Sequence, residues 1–140
     1  MTRKDFTTEA EALFDRFARK HELAYKVEPD VPMEVCWTFQ RQAKLSMPVT
    51  LGLQNNDELN FGVSDFWSYF FPFPDVAKQF EEILNAWVTG EARIAVEQGR
   101  GRKLQLREGG KWTTVYGANG CLLPIKRKVL RYETNELQDG

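Results

Sequence analysis

The spacing of hydrophobic residues alternates between two periods along this chain of 140 residues. Apolar positions recur first at the spacing of a helix and then at that of a strand, and the same order repeats once. Successive strands without intervening helices predict antiparallel sheet, because parallel strands need a long crossover between each pair. The predicted fold class is therefore α+β: two amphipathic helices packed on antiparallel sheet, in the order α-βββ-α-βββ with an uncertain C-terminal element.

Both predicted helices carry an apolar stripe along one face. For the helix of residues 7–21 the stripe comprises Phe6, Ala10, Leu13, Phe14, Phe17 and His21, and for the helix of residues 75–89 it comprises Val76, Phe80, Ile83, Leu84 and Trp87. Thr8 with Glu11 predicts a capping box for the first helix, and Asp75 is the predicted N-cap of the second. Gly90 is placed to end the second helix in a left-handed conformation.

Two three-stranded meanders are predicted from the alternating segments. The first comprises residues 33–40, 47–54 and 59–63, and the second comprises residues 92–97, 103–107 and 112–116. Asn55 and Asn56 predict a tight turn in the first meander, because asparagine tolerates positive φ. Residues 121–132 fit a strand or a short helix. We expect one domain over residues 1–132 and a polar, disordered tail over residues 133–140.

Bulk properties narrow the class of protein. The length fits a single domain with its own core, and the net charge of −1 argues against a bulk electrostatic partner. No stretch approaches about 18 apolar residues, and no apolar segment follows the starting Met, so neither a membrane span nor a signal peptide is expected. Cys36 and Cys121 are distant and lack CxxC spacing. We expect a soluble cytoplasmic protein with reduced thiols, with a disulfide left open as the alternative.

Sequence motifs for catalysis or cofactor binding are absent. The single histidine, His21, ends the first helical stripe, where a place at the edge of the core is favoured over catalysis. One histidine and two distant cysteines do not make a usual zinc site, and no phosphate-binding or dinucleotide-binding glycine motif occurs. Cys36 lacks a helix N-terminus or cationic neighbour that would activate its thiol. We expect no metal, no cofactor and no catalytic residue, so a binding protein is favoured over an enzyme.

Seven aromatic residues occupy the thirteen positions of residues 61–73, here called the aromatic segment. Phe66, Phe70 and Phe73 are predicted to close the ends of the sheets as part of the core. Trp67 and Tyr69 are predicted to line a binding surface, since both residue types combine an apolar ring with a polar tip. The first hypothesis is therefore a non-catalytic interaction module that self-associates or binds a protein partner through an aromatic surface.

Charge divides the chain into two unlike halves. Residues 1–90 carry a net charge of −5, and residues 91–132 carry a net charge of +7. The favoured interpretation is that the halves attract each other, within one chain or across a dimer. The alternative is an anionic partner for the basic half.

The basic hairpin, residues 93–107, carries the second hypothesis: binding of an anionic ligand or single-stranded nucleic acid. Its candidate residues are Arg93, Arg100 and Arg102, together with the neighbouring aromatic residues Trp112 and Tyr116. A second basic group comprises Lys126, Arg127, Lys128 and Arg131. Arginine supplies charge for phosphates and the rings supply stacking surfaces. Arg93, Lys103 and Arg107 are predicted to share one sheet face. A solvated outer sheet face explains the same residues and is favoured over nucleic-acid binding.

A third hypothesis is a small enzyme or ligand-binding protein with an aromatic pocket near Asp65. A carboxyl group packed on aromatic rings can have a raised pKa and act as a general acid. Acidic residues in such positions more usually lie in exposed turns at the surface. Among partners, a second copy of the chain or another protein is expected, nucleic acid is less favoured, and no membrane is expected.

Overall fold

The computed structural model describes residues 5–118 and 128–136, which form two helices and two antiparallel sheets. In chain order the elements are α1 (Thr7–His21), β1 (Lys26–Val27), β2 (Val35–Phe39), β3 (Val49–Gln54), β4 (Glu58–Val63), β5 (Phe66–Trp67), α2 (Phe73–Thr89), β6 (Ala92–Glu97), β7 (Arg102–Glu108), β8 (Lys111–Ala118) and β9 (Val129–Glu133). The predicted α+β class is confirmed. Both predicted meanders are present; the first gains a strand at each edge, and the second gains β9 at one edge.

The first sheet has five strands in the order β1-β2-β3-β4-β5, and neighbouring strands are antiparallel. Its central strands β2, β3 and β4 are the predicted meander. Asn55 and Asn56 have φ angles of 52° and 68°, which confirms the predicted turn. Strands β1 and β5 have two residues each, too few to show an alternating pattern in the sequence.

The second sheet has four strands in the order β8-β7-β6-β9. Strand β9 pairs antiparallel with β6, so that Tyr132 lies opposite Ala95 and Glu133 lies opposite Ile94. Residues 129–132, which the sequence left ambiguous, therefore belong to a strand. Residues 119–127, with Cys121, Lys126 and Arg127, lie outside the described residues.

The core lies between the helices and the inner faces of the sheets. Five of the six residues of the first stripe are buried in α1, and the sixth, Phe6, precedes the helix and packs against the core while partly buried. Helix α1 packs on α2, β2 and β3. Helix α2 contacts β4 of the first sheet and β6 of the second, so this helix joins the two sheets. Trp87 on α2 is fully buried and meets Phe61 of β4 edge to face, with ring centroids 5.7 Å apart.

Helix α1 begins one residue before its predicted capping box, and that prediction is wrong. The backbone N–H of Thr7 donates to Asp5 Oδ1 at 2.8 Å. Asp5 therefore supplies the side-chain acceptor at this end, and Thr8 lies inside the helix.

Helix α2 also begins before its predicted N-cap. Its first residue is Phe73, and Pro74 occupies the first turn, which places Asp75 inside the helix. Proline fits this turn because an N–H there would have no helical partner. Asp75 still lies near the positive end of the helix dipole. Gly90, with φ of 81°, ends the helix as predicted.

The segment after β9 is held against the first half of the chain. Asn135 is 4% exposed, and its Nδ2 donates to Lys44 O at 2.8 Å and to Val88 O at 3.0 Å. Its Oδ1 accepts from the backbone N–H of Ser46 at 2.8 Å. The expectation of a disordered tail from residue 133 is therefore corrected for residues 133–136, because a buried side-chain amide satisfies backbone groups of other segments there.

We expect Asn135→Ala to lower the free energy of unfolding by about 2 kcal/mol, because it leaves two carbonyls and one amide without their side-chain partner. Urea denaturation followed by far-UV circular dichroism measures this change. Glu136→Ala is the matched control, because the backbone N–H of Glu136, which donates to Ser46 Oγ, survives the substitution. Equal stability of the two variants would contradict the role assigned to Asn135.

Candidate functional site

The aromatic segment is divided between core and surface. Phe66, Phe70 and Phe73 are buried, so their predicted place in the core is confirmed. Tyr69 and Phe71 are 44% and 58% exposed. The alternation is that of an extended chain, in which successive side chains point to opposite sides.

Trp67 and Tyr69 form an aromatic pair on the exposed side, with ring centroids 6.5 Å apart and ring planes at 80°. Trp67 is half-buried because its ring lies across Gly62 of the neighbouring strand β4. A Cβ atom at position 62 would lie 2.5 Å from Trp67 Cε3, so only glycine lets the ring lie this close to the sheet. The structure thus brings together the two residues predicted from the segment.

A cleft of about 400 Å³ lies beside Trp67. Its lining is mostly apolar, with Gly62, Trp67 and Pro48 among the lining residues and Asp65 and Thr50 as polar members. The cavity that the third hypothesis required near Asp65 is therefore present. The raised pKa that the hypothesis expected is not found, because a hydrogen bond from Arg102 lowers the pKa of Asp65.

Arg102 joins the two halves of the chain. Its Nη2 lies 2.7 Å from Asp65 Oδ2, and its Nε donates to Asp65 Oδ1 at 3.0 Å. Its Nη1 donates to the carbonyls of Gly101, Gly99 and Glu97 at 2.8, 3.3 and 3.4 Å. The guanidinium is thus engaged with internal acceptors and only 13% of the side chain is exposed. This geometry agrees with attraction between the acidic and basic halves, and it does not leave Arg102 available as a ligand-binding cation.

We expect Asp65→Asn to lower stability at neutral pH by no more than about 1 kcal/mol, since the carboxylate is 54% exposed. The folded-state pKa of Asp65 lies below its ordinary value of 3.8. The stabilisation is therefore complete above that value and is lost as pH falls through the lowered folded-state pKa. Urea denaturation of wild type and variant between pH 7 and pH 2.5 tests this, with Asp30→Asn as the exposed-carboxylate control. A difference that grows in acid would contradict the assignment.

Tyr116 faces the core instead of the basic hairpin. Its ring packs on Phe66 and Phe70, with centroids 5.8 and 4.9 Å apart, and its hydroxyl accepts the backbone N–H of Tyr69 at 3.0 Å. The position of Tyr116 does not support the predicted role in stacking on a ligand, because its ring contacts buried phenylalanines. The reason lies in the register, which pairs Tyr116 with the buried Leu104.

The outer face of the second sheet is basic and aromatic. The register confirms that Arg93, Lys103 and Arg107 share this face, since Arg93 pairs with Gln105 and Ala95 with Lys103. The opposite face joins the core against α2 through Ile94, Leu104 and their neighbours. We call the outer surface formed by Arg93, Lys103, Arg107, Trp112 and Tyr132 the basic face.

Arg93 is the centre of the basic face. Its Cζ lies 4.1 Å from the centroid of the Trp112 ring and 3.8 Å from that of the Tyr132 ring. Its Nε donates to Gln105 Oε1 at 2.8 Å, and Gln105 Nε2 donates to Thr114 Oγ1 at 3.2 Å. Cation–π contacts and hydrogen bonds therefore hold the guanidinium in one place. The predicted neighbours Arg93 and Trp112 are brought together, whereas Arg100 lies exposed in the turn between β6 and β7.

Tyr132 is the member of this cluster that sequence reasoning missed. It belongs to β9, and only the pairing of β9 with β6 places it beside Arg93. The available signal was an aromatic residue in a segment of uncertain type. That signal does not specify which strand the segment joins, because residues 129–133 pair with a strand more than thirty positions earlier.

The histidine and the cysteine of the described ranges are both buried. His21 is buried at the end of α1, with Nε2 2.8 Å from Asn85 Oδ1, so its predicted place at the core edge is confirmed. Cys36 is buried, and desolvation followed by the charge of Glu28 raises the pKa of its thiol. Among residues 5–118 and 128–136, no group of three or more His, Cys, Asp or Glu residues is arranged to hold a metal.

Neither helix of the described ranges has the length and apolar content needed to cross a bilayer. Comparison with protein-family models, with curated proteins and with solved structures found no match for this chain.

Proposed function

We propose that this chain is a non-catalytic interaction module that binds a protein partner, in the first instance a second copy of itself, through its exposed aromatic surface. That surface comprises Trp67, Tyr69 and Phe71. The observation that carries the proposal is the exposure of Tyr69 and Phe71 in a segment whose other phenylalanines are buried. Exposed apolar rings of this size are unfavourable in water, and a partner that covers them removes this unfavourable free energy.

The cleft beside Trp67 supports the same function. It offers about 400 Å³ of mostly apolar space next to the aromatic pair, which suits an anchoring side chain of a partner. Trp67 is held in place by its contact with Gly62 and Tyr69, so little side-chain entropy is lost when a partner binds. The lowered pKa of Asp65 keeps that carboxyl ionised near neutral pH, which argues against acid catalysis in the cleft.

The test is sedimentation velocity of wild type and of Tyr69→Ala with Phe71→Ala across a range of concentrations. We expect the wild type to associate and the variant to have a dissociation constant about 30-fold larger. A change of this size corresponds to the loss of one binding hot spot. Tyr25→Ala is the matched control, because Tyr25 is 40% exposed and lies on β1's side of the first sheet, stacked on Trp37.

A wild type that stays monomeric at high concentration would redirect the proposal to a different protein. In that case immobilised wild type should retain a defined protein that the double variant does not retain and the Tyr25→Ala control does. Failure of both measurements would remove the proposed function.

A further inference from the structure

We propose that the basic face binds single-stranded nucleic acid, with Trp112 and Tyr132 stacking on unpaired bases and Arg93 contacting phosphate. This site uses residues of the second sheet alone. It is independent of the aromatic surface around Trp67, and either site can fail without the other.

The two rings provide the stacking surface. Tyr132 is 48% exposed and Trp112 is half-buried, and they lie on the outermost strands β9 and β8 of a four-stranded sheet. Exposed rings on a four-stranded sheet can stack two or three bases of a single strand. Base–ring stacking tolerates any base, since each base has a π-face. The arrangement therefore fits a strand that crosses the sheet from β8 to β9.

Arg93 provides a positioned cation between the stacking residues. Its Nε is occupied by Gln105, while Nη1 and Nη2 make no hydrogen bond within the described part of the chain. A guanidinium held against two rings loses little freedom when it binds a phosphate, and its remaining N–H groups match two phosphate oxygens.

The other charges of the face are partly balanced. Lys103 Nζ lies 3.2 Å from Glu97 Oε2, and Arg107 Nε lies 3.9 Å from Glu91 Oε2. Glu97 itself is buried, and the half-exposed carboxylate of Glu91 is paired with Arg107. The electrostatic contribution is therefore modest, and stacking supplies the specificity for unpaired bases. A duplex offers phosphates without exposed base faces, and an acidic peptide offers charge without bases.

The experiment is fluorescence anisotropy of a labelled ten-nucleotide oligo(dT) titrated with the whole protein between 50 and 200 mM salt. We expect the logarithm of the association constant to fall linearly with the logarithm of the salt concentration. A slope of about −2 corresponds to three phosphate contacts on a single strand. Trp112→Ala should weaken binding about tenfold with an unchanged slope, because stacking is insensitive to salt. Arg93→Gln should instead reduce the slope by about 0.7, because it removes the cation assigned to phosphate.

Controls separate this site from simpler explanations. Tyr25→Ala should leave binding unchanged, since Tyr25 is an exposed ring that stacks on Trp37 of the first sheet. Tyr132→Leu should reproduce the loss seen in Trp112→Ala, which covers the case in which one variant fails to fold. No binding at 50 mM salt, equal affinity for a duplex of the same length, or an unchanged affinity in both ring variants would each overturn the proposal. Competition by poly-glutamate as effective as that by unlabelled oligo(dT) would overturn it in favour of an acidic polypeptide ligand.

Discussion

Trp87→Ala is expected to lower the free energy of unfolding by about 3–5 kcal/mol, the largest effect we expect from any single substitution in this chain. Trp87 lies on α2, the helix that contacts both sheets, and it is fully buried. Its ring meets Phe61 of the first sheet at 5.7 Å. Truncation therefore opens a cavity that the surrounding strands cannot close, because they are held in hydrogen-bonded register.

Trp87→Phe separates packing from polarity at the same position. Trp87 Nε1 is buried and has no hydrogen-bond partner among the described residues. Phenylalanine removes that unsatisfied donor and keeps a ring, so we expect a loss of only about 1–2 kcal/mol. Urea denaturation should be followed by circular dichroism, since the variants lack one fluorophore. Equal losses in the alanine and phenylalanine variants would show that the cavity does not control the cost.

Arg102→Ala is expected to lower the free energy of unfolding by about 3 kcal/mol. The substitution removes the ion pair to Asp65 and leaves the carbonyls of Gly101 and Glu97 without their charged donor. Arg102→Lys should recover little of this lost stability. The planar guanidinium group binds the carboxylate and the turn carbonyls at the same time, and a single ammonium group cannot.

Arg100→Ala is the matched control for this prediction, since Arg100 is an exposed arginine of the same turn. We expect its stability to stay within about 0.5 kcal/mol of wild type. The double variant Arg102→Ala with Asp65→Asn apportions the effect. If the carbonyl bonds dominate, the coupling energy between the two substitutions, which measures the ion pair, will be small compared with the loss in Arg102→Ala. A loss in Arg102→Ala no larger than in Arg100→Ala would refute the role described for Arg102.

The parts of the fold predicted from the sequence are those that depend on local pattern. The period-3.6 stripes of α1 and α2 and the alternation in β2 to β4 and β6 to β8 each lie within one element. The turn at Asn55 and Asn56 depends on two adjacent residues and was also predicted correctly. The first helix starts at the predicted residue, Thr7, but both predicted N-caps were wrong. Two competing local signals, an upstream aspartate in α1 and a proline in the first turn of α2, prevailed over those caps.

The parts that could not be predicted depend on contacts between distant segments. Strand β9, the side chain of Asn135 and the Asp65–Arg102 ion pair each join residues that are far apart in the chain. Sequence reasoning identified Arg102 as a cation but could not show that its donors face inward. For the same reason it assigned Tyr116 to a binding surface, when a register shift between Leu104 and Gln105 turns that ring toward the core.

Of the candidate sites, Trp67 with Tyr69 and Arg93 with Trp112 were each brought together by the fold. Trp67 and Tyr69 lie two positions apart in one extended segment, and Arg93 and Trp112 lie on β6 and β8, on either side of β7. The alternation of side chains between two sheet faces already limits the possible partners in both cases. Tyr132 could be added only once the pairing of β9 was known.

The order of strands in the second sheet also has a consequence for synthesis. Strands β6, β7 and β8 are consecutive in the chain, whereas β9, the other neighbour of β6, follows later. During translation, one edge of β6 therefore stays unpaired until β9 has been synthesised. An apolar strand with a free edge can pair with a strand of another nascent chain. Swapping of β9 between two copies is the misassembly that this topology invites, and the anchoring of Asn135 to the β2–β3 connection favours closure within one chain.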